Sequence, residues 1–365
     1  MEKISIETLT PVHIGSGREL NANTEFLFFR EDDENLLVII DEKKVLDIIG
    51  KENINTWISI INNKENLKDY LLKRKPGLQV SDFCKYRMLV YGSELRKHKT
   101  LKEQLRDARG ISYIPGSSIK GAIRTAVLSN QVKNHKDFAS KNLKNHKNIF
   151  SAENVEKYLF GPNPNQSIFR FLHVGDAYFE YENIATKFQI LNSYKKGWEF
   201  KRDSSHLVEC INFDAESSFN MKINNTLQTK NHFKKSFRFT NLPELFSLIN
   251  QHTIELLNSE VEFWEEETQI NEVIFKNYFD KIKELLKKAE NCDENACILR
   301  IGFGSGWNFI TGAWAKDIEI TNDEKYNHLV KFIRRRNYPD FIPFPKTKKM
   351  DEDGDMTGFV KLKIL

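Results

Sequence analysis

The segment Tyr113-Ile114-Pro115-Gly116-Ser117-Ser118-Ile119-Lys120-Gly121-Ala122-Ile123-Arg124-Thr125-Ala126-Val127 gathers side chains that could hold an anion. Pro115-Gly116 marks a turn, and Ser117 or Ser118 is placed to cap a helix by accepting from an orphan backbone N–H. Ile119, Ala122, Ile123, Ala126 and Val127 then follow helical spacing and form one apolar face. Lys120 and Arg124, four residues apart, share a side of that helix. Gly121 beside them leaves room for a large group to approach the backbone. Free N–H groups at a positive helix end, two hydroxyls, two cations and a clearance suit a phosphate. An ordinary capped helix with two surface cations is the other reading of the same spacing. Gly116 and Gly121 match the outer glycines of a Walker A loop, but Ala122-Ile123 stand where Lys and Ser/Thr are required, which argues against a nucleoside triphosphate.

Two further loops carry glycines in useful places. In His13-Ile14-Gly15-Ser16-Gly17-Arg18, Gly15 and Gly17 expose backbone N–H groups beside Arg18, which suits an anion. His13 either joins that loop's chemistry or is a satisfied histidine that orients the turn. Gly302-Phe303-Gly304-Ser305-Gly306-Trp307 follows a short strand, and alternate glycines let a ligand approach the backbone closely. It is not a dinucleotide fingerprint, because the third glycine would fall on Trp307. Lys230, Lys234, Lys235 and Arg238, interleaved with Phe233, Phe237 and Phe239, fit either a single-strand nucleic-acid surface or the buried side of a strand. His13, His173 and His206 are available for acid–base work, but no spacing brings two of them together.

The elements that position these loops follow from periodicity. Residues 3 to 14 alternate as a first strand, with further strands at 24–30 and 36–40 across the acidic turn Glu31-Asp32-Asp33-Glu34. Residues 41 to 109 read as several short helices, with basic spots at Lys73-Arg74-Lys75 and Lys97-His98-Lys99. A basic loop or ragged helix at 133–147 contains His135, Lys136, Lys141, Lys144 and His146. A strand is expected over 168–179, returning as a hairpin through 185–191, and 206–213 with 218–223 as another strand pair. Helices are expected at 243–258, 271–289 and 323–335, and strands at 297–301 and 358–365. Arg334-Arg335-Arg336 and Lys346 to Lys349 add basic runs.

The chain has 365 residues, enough for one large domain or two to three small ones, and a net charge of +4 that permits an anionic partner without demanding one. Cys84, Cys210, Cys292 and Cys297 lack zinc-site spacing and read as reduced thiols of a cytoplasmic protein. No metal, cofactor or membrane is expected.

Three segments share a resemblance. Leu9-Thr10-Pro11-Val12-His13-Ile14-Gly15-Ser16-Gly17 resembles the L-x-P-h-H-I-G-x-G opening of the RAMP proteins of type III CRISPR effector complexes. Ile114 to Gly121 resembles their I-P-G-S-S-x-K-G segment, and Gly302 to Trp307 their late glycine-rich loop. His173-Val174-Gly175-Asp176-Ala177 is similar to their h-x-V-x-D-A strand. The nearest likeness is to the type III-A subunits that cap the Csm complex at the 3′ end of the guide RNA.

The resemblance implies an α+β fold with a ferredoxin-like, RRM-type core carrying helical and β-hairpin insertions. The core would span 1–40 with 108–194 and 296–365, a helical insertion 41–107, and a mixed insertion or degenerate second RAMP-like domain 195–295. It implies a non-catalytic subunit that binds guide RNA (crRNA), stacks on other Csm-complex RAMP subunits and brings in host nucleases for 3′ trimming. RNA contacts would come from His13, Gly15, Gly17, Arg18, Gly116, Ser117, Ser118, Lys120, Arg124, Gly302, Gly304, Gly306 and Trp307. Subunits that cut target RNA place an Asp in a short segment between the first two motifs. Here residues 18–112 intervene, and Asp32 and Asp33 have no catalytic setting, so no target cleavage is expected. A RAMP endoribonuclease that processes the guide precursor and a protein-only scaffold are the alternatives.

Overall fold

The computed structural model describes residues 1–31, 33–135, 153–181, 183–194, 197–201, 204–224, 239–266, 273–310, 314, 345 and 347–365. In chain order the strands are β1 (Glu2–Thr8), β2 (Gly15–Asn21), β3 (Phe26–Glu31), β4 (Glu34–Ile40), β5 (Cys84–Tyr91), β6 (Thr100–Gln104), β7 (Ser112–Ile114), β8 (Leu172–Val174), β9 (Ala177–Phe179), β10 (Ile184–Tyr194), β11 (Gly197–Phe200), β12 (His206–Cys210), β13 (Glu216–Ile223), β14 (Ala296–Arg300), β15 (Thr347–Met350) and β16 (Phe359–Ile364). The helices are α1 (Glu42–Ile49), α2 (Ile54–Asn63), α3 (Leu67–Arg74), α4 (Gly116–Val132), α5 (Glu153–Phe160), α6 (Leu242–Glu266) and α7 (Val273–Glu290).

Alternation in β1 buries Ile4, Ile6 and Thr8, and this strand lies inside a five-stranded sheet of order β14-β16-β1-β13-β8. All its pairings are antiparallel. β1 and β8 therefore run parallel with α4 between them in sequence, and β13 and β16 run parallel with α6 between them. The order β16-β1-β13-β8 is thus the split βαβ arrangement of a ferredoxin-like frame, with β14 added at its edge. Ile119, Ile123, Ala126 and Val127 of α4 and Leu245, Phe246 and Ile249 of α6 share one core with Ile4, Ile6 and Phe219.

The second sheet has order β2-β6-β12-β10-β5-β4-β3, and the far half of β10 also pairs with β11 and β15. Every one of its strands comes from a connection within the frame. β4 is buried on both faces: Leu37 and Ile39 pack with Phe26 and Met88, while Val38 and Ile40 pack under α1, α2 and α3. A buried Glu260–Lys348 pair at 2.5 Å, with Tyr278 Oη and Trp264 Nε1 donating to Glu260, ties α6, α7 and β15 together.

The α+β reading and the ferredoxin-like frame hold, but several local readings do not. Residues 84–91 and 100–104 are strands rather than helices, because the first pairs between β4 and β10 and the second between β2 and β12. Segments 168–179 and 185–191 form no hairpin: β9 pairs with β7, and β10 joins the larger sheet. The expected 206–213 and 218–223 pair also separates, β12 going to β10 and β6 and β13 to β1 and β8. β13 and α6 fall in the segment 195–295, read as a mixed insertion or degenerate second RAMP-like domain, and here they pair and pack with β1 and β16 in the frame. β2, β3 and β4, placed with the core, belong to the other sheet. Asp32, the basic residues from Lys136 to His146, Lys230 to Arg238 and the helix at 323–335 with Arg334–Arg336, together with Lys346, lie outside the described residues. No helix among the described residues is long and apolar enough to cross a membrane.

Candidate nucleic-acid interface

α4 follows the Pro115-Gly116 turn as expected but starts at Gly116, ahead of the two serines read as its cap, and its cap is different. Pro115 occupies the N-cap position without a side-chain bond, and neither serine caps the helix. Asp176 does so from the β8–β9 connection, its Oδ1 accepting from Gly116 N at 2.7 Å. A carboxylate at the positive helix end already supplies the negative charge that a phosphate would bring. Gly116 is required by packing: a Cβ there would clash with the carbonyl oxygens of Val174 and Gly175. Ser117 is exposed and Ser118 half-buried.

The two cations of α4 look away from that end, into a cleft of about 320 Å³ walled by Glu153, Glu156, Lys157 and the 161–164 turn. Arg124 pairs with Glu156 at 2.5 Å and its guanidinium lies 5.4 and 5.6 Å from the Phe160 and Phe169 ring centres. Those contacts commit it to holding α5 against α4. Lys120 has no carboxylate partner among the described residues. Partial burial, and then the neighbouring Arg124, push its ammonium below the usual lysine range. Gly121 is exposed, and a Cβ there would meet nothing.

The other two loops are built against each other. His13 is 3% exposed, and its Nδ1 lies 2.6 Å from the Glu209 carbonyl oxygen. Burial lowers its pKa to about 4, so the ring is neutral at pH 7. It meets Phe303 edge-on at 5.7 Å, and Phe303 N donates to the His13 carbonyl at 2.9 Å. Gly302 (φ +76°) packs so tightly on that carbonyl that a Cβ would collide with it. His13 is therefore the satisfied histidine of the two readings: it spaces the loops and offers no surface to RNA.

Gly15, Gly17 and Arg18 are exposed at the start of β2, where Arg18 pairs with Glu25 at 3.2 Å. Gly304 backs onto Thr357, Gly306 is exposed, and Trp307 is half-buried. Buried Arg300 fixes this loop from beneath, donating to the carbonyls of Thr357 and Gly304 at 3.0 and 3.2 Å. A backbone relay reaches α4: Leu105 N donates to Ile14 O and Tyr113 N to Leu105 O. Among the described residues no hydrogen bond or ion pair links Lys120 or Arg124 to either glycine loop.

Sequence reasoning missed Glu209, which supports the whole arrangement. Its fully buried carboxylate accepts from Arg106, from Asn183 Nδ2 at 2.8 Å and from Gln104 N at 3.1 Å, while its carbonyl holds His13. The only signal was a glutamate in the otherwise apolar run Leu207-Val208-Glu209-Cys210-Ile211.

A family model described as the RAMP superfamily matches residues 5–309. The chain belongs to the RAMP superfamily. This RAMP protein is 26% identical over 332 residues to the CRISPR system Cms protein Csm5 of Methanocaldococcus jannaschii, covering 84% of this chain and 71% of that one. It is 27% identical over 190 residues to the Streptococcus thermophilus protein of the same name, covering 48% of this chain and about half (51%) of the relative. Among solved structures it is similar to a chain in the cryo-EM structure of a Csm–crRNA–target RNA ternary complex of a type III-A CRISPR-Cas system, with TM-score 0.73, 19% identity and 100% of both chains covered. The crystal structure of T. onnurineus Csm5 gives TM-score 0.68 at 18% identity, covering 99% of this chain and 100% of that one. At these identities the likeness is one of fold.

Proposed function

We propose that this RAMP protein is a non-catalytic, RNA-binding subunit of a type III-A CRISPR effector complex. In that reading it holds the 3′ region of the guide RNA, stacks on backbone RAMP subunits and supports 3′-end maturation by nucleases that it brings in. The observation that carries the reading is the junction of the His13–Arg18 and Gly302–Trp307 loops. Segments from opposite ends of the chain are bonded through Phe303 N and the His13 carbonyl, leaving Gly15, Gly17, Arg18 and Gly306 on the surface. Lys120 adds a cation with no carboxylate partner among the described residues. The named relatives and the ternary complex support the setting.

A guide precursor nuclease needs a general base and a general acid close to the scissile phosphate. His13 is buried against Glu209 and Phe303 and is not positioned for either role.

The test is a gel shift with labelled single-stranded RNA, in Mg²⁺ or in EDTA, comparing the wild type with an Arg18→Ala/Lys120→Ala variant. Intact RNA that shifts with the wild type is expected. The variant should flatten the plot of log affinity against log salt by about 1.4, about 0.7 for each lost phosphate contact. RNA shortened in EDTA would overturn the non-catalytic reading in favour of the endoribonuclease. RNA that is neither bound by the chain nor contacted by it in the reconstituted complex would leave the protein-only scaffold.

A further inference from the structure

We infer that a second, basic cleft on the larger sheet takes the phosphates of a single-stranded RNA as the strand leaves the glycine-rich loop. The inference rests on the RNA-binding reading above and extends its surface. The cleft has a volume of about 550 Å³ and lies between β6 with the turn before it, β10, β11 and the start of β12. Lys97, Lys99, Lys102, Lys187 and Lys201 line it with His98 and His206, against one lining carboxylate among the described residues, Glu94. Lys97, Lys102 and Lys187 have partners in Glu94, Glu19 and Glu352. Lys99 and Lys201 have none among the described residues.

Like charges packed this closely repel, and the titrating groups register it. Partial burial and then Lys187 and His206 lower the His98 pKa, against the opposing pull of Glu352. Partial burial and then Lys102 and Lys349 lower the His206 pKa, against Glu19. The Lys349 ammonium is lowered by partial burial and by Lys102. A polyanion would relieve this repulsion and make both imidazoles better donors.

Two features favour an RNA strand over an acidic protein face. The cleft is continuous with the motif surface: Lys349 Nζ stands 4.3 Å from the centre of the Phe303 ring, which His206 also meets edge-on at 6.2 Å. It also mixes rings with cations, since Phe200 lines it, and a single strand uses both, stacking bases on aromatic faces and placing phosphates on ammonium groups.

The experiment measures labelled oligouridylate RNA binding to the full chain across a salt series. It compares the wild type, a Lys99→Gln/Lys201→Gln/Lys349→Gln variant and the Arg18→Ala/Lys120→Ala variant, with thermal unfolding as the check on folding. The ring-proton resonances of His98 and His206, assigned through His98→Gln and His206→Gln, are titrated with and without RNA. The triple variant is expected to fold, to flatten the salt plot by about 2, and in the wild type RNA is expected to raise both histidine pKa values. RNA binding with an unchanged slope in the triple variant and unmoved histidines would overturn this inference and leave the motif-loop reading standing. Histidines moved by polyglutamate but not by RNA would assign the cleft to an acidic protein instead. No RNA binding by the wild type, together with no RNA contact by it in the reconstituted complex, would overturn both readings.

Discussion

On α4 the cations Lys120 and Arg124 come from a single helical turn, whereas the lysines of the second cleft come from three separate stretches of chain, at 97–102, 187 and 201, with Lys349 beside the cleft at Phe303. The helix spells its charge in the sequence, and yet half of that charge is used internally, since Arg124 closes on Glu156 and the Phe160 and Phe169 rings. The cleft has no motif; three of its five lysines are paired, with Glu94, Glu19 and Glu352, and Lys99 and Lys201 have no carboxylate partner among the described residues. The contrast separates two uses of a basic residue: a short motif often fixes neighbouring elements to each other, while a surface for an extended partner needs charge gathered from across a sheet. It also shows why a cation's worth as a ligand depends on its nearest carboxylate rather than on its spacing.

The sharpest way to break this contrast is to remove the support beneath both surfaces. β12 carries Glu209, which fixes His13 and Gln104, and His206, which lines the cleft. Glu209→Ala leaves half-buried Arg106, Asn183 and the Gln104 N–H without their shared acceptor and is expected to cost roughly 3–5 kcal/mol of stability by chemical denaturation. RNA binding by the motif loops and by the cleft should fail together. If one survived, the two regions would be independent.

A smaller effect separates the histidines. The folded pKa of His13, about 4, lies below its unfolded value near 6.5. Its contribution to stability is therefore full above pH 6.5 and is lost as the pH falls through 4. His13→Gln should flatten that part of the stability curve by roughly 1–3 kcal/mol, with a residual slope from His252, which burial also lowers to about 4. His206 instead reports in binding. RNA affinity should rise as the pH falls and its imidazole protonates, and His206→Gln should reduce that rise to the share carried by His98 without removing the acid loss of stability due to His13.

The smallest expected effect is the most specific for α4. Gly121 is an exposed glycine inside a helix, and a Cβ there would touch nothing. Gly121→Ala should raise stability by roughly 0.5–1 kcal/mol. If RNA lies against this turn of α4, the same change should weaken binding. A variant that is more stable and binds equally well would place the strand elsewhere.

What the sequence made legible was local. The apolar face Ile119, Ile123, Ala126 and Val127, the start of α4 and the alternation of β1 depend on residues within a few positions of one another, and all are present. The family likeness added the frame. Partners of strands were not legible, because pairing is decided by residues far apart: 206–210 and 216–223 are neighbours in the chain and belong to different sheets. The cap on α4 was assigned to the nearest hydroxyls, while the stronger acceptor, Asp176, arrives from a segment sixty residues on. Glu209 was passed over because a single acid in an apolar strand has no spacing to read.

The position of β16 has a consequence for how the chain comes to be folded in the cell. This strand sits between β1 and β14 and supplies hydrogen bonds to both. During synthesis β1 emerges first and must wait for residues 359–364 before that side of it is covered, while the whole larger sheet is being made. One edge of β1 thus stays open until residues 359–364 have been made, a template for wrong pairing. The contacts that close the frame are among the longest-range in the molecule, so its final step is expected to be slow. A destabilised β16 would show itself first as aggregation of newly made chains, before any loss of affinity in those that succeed in folding.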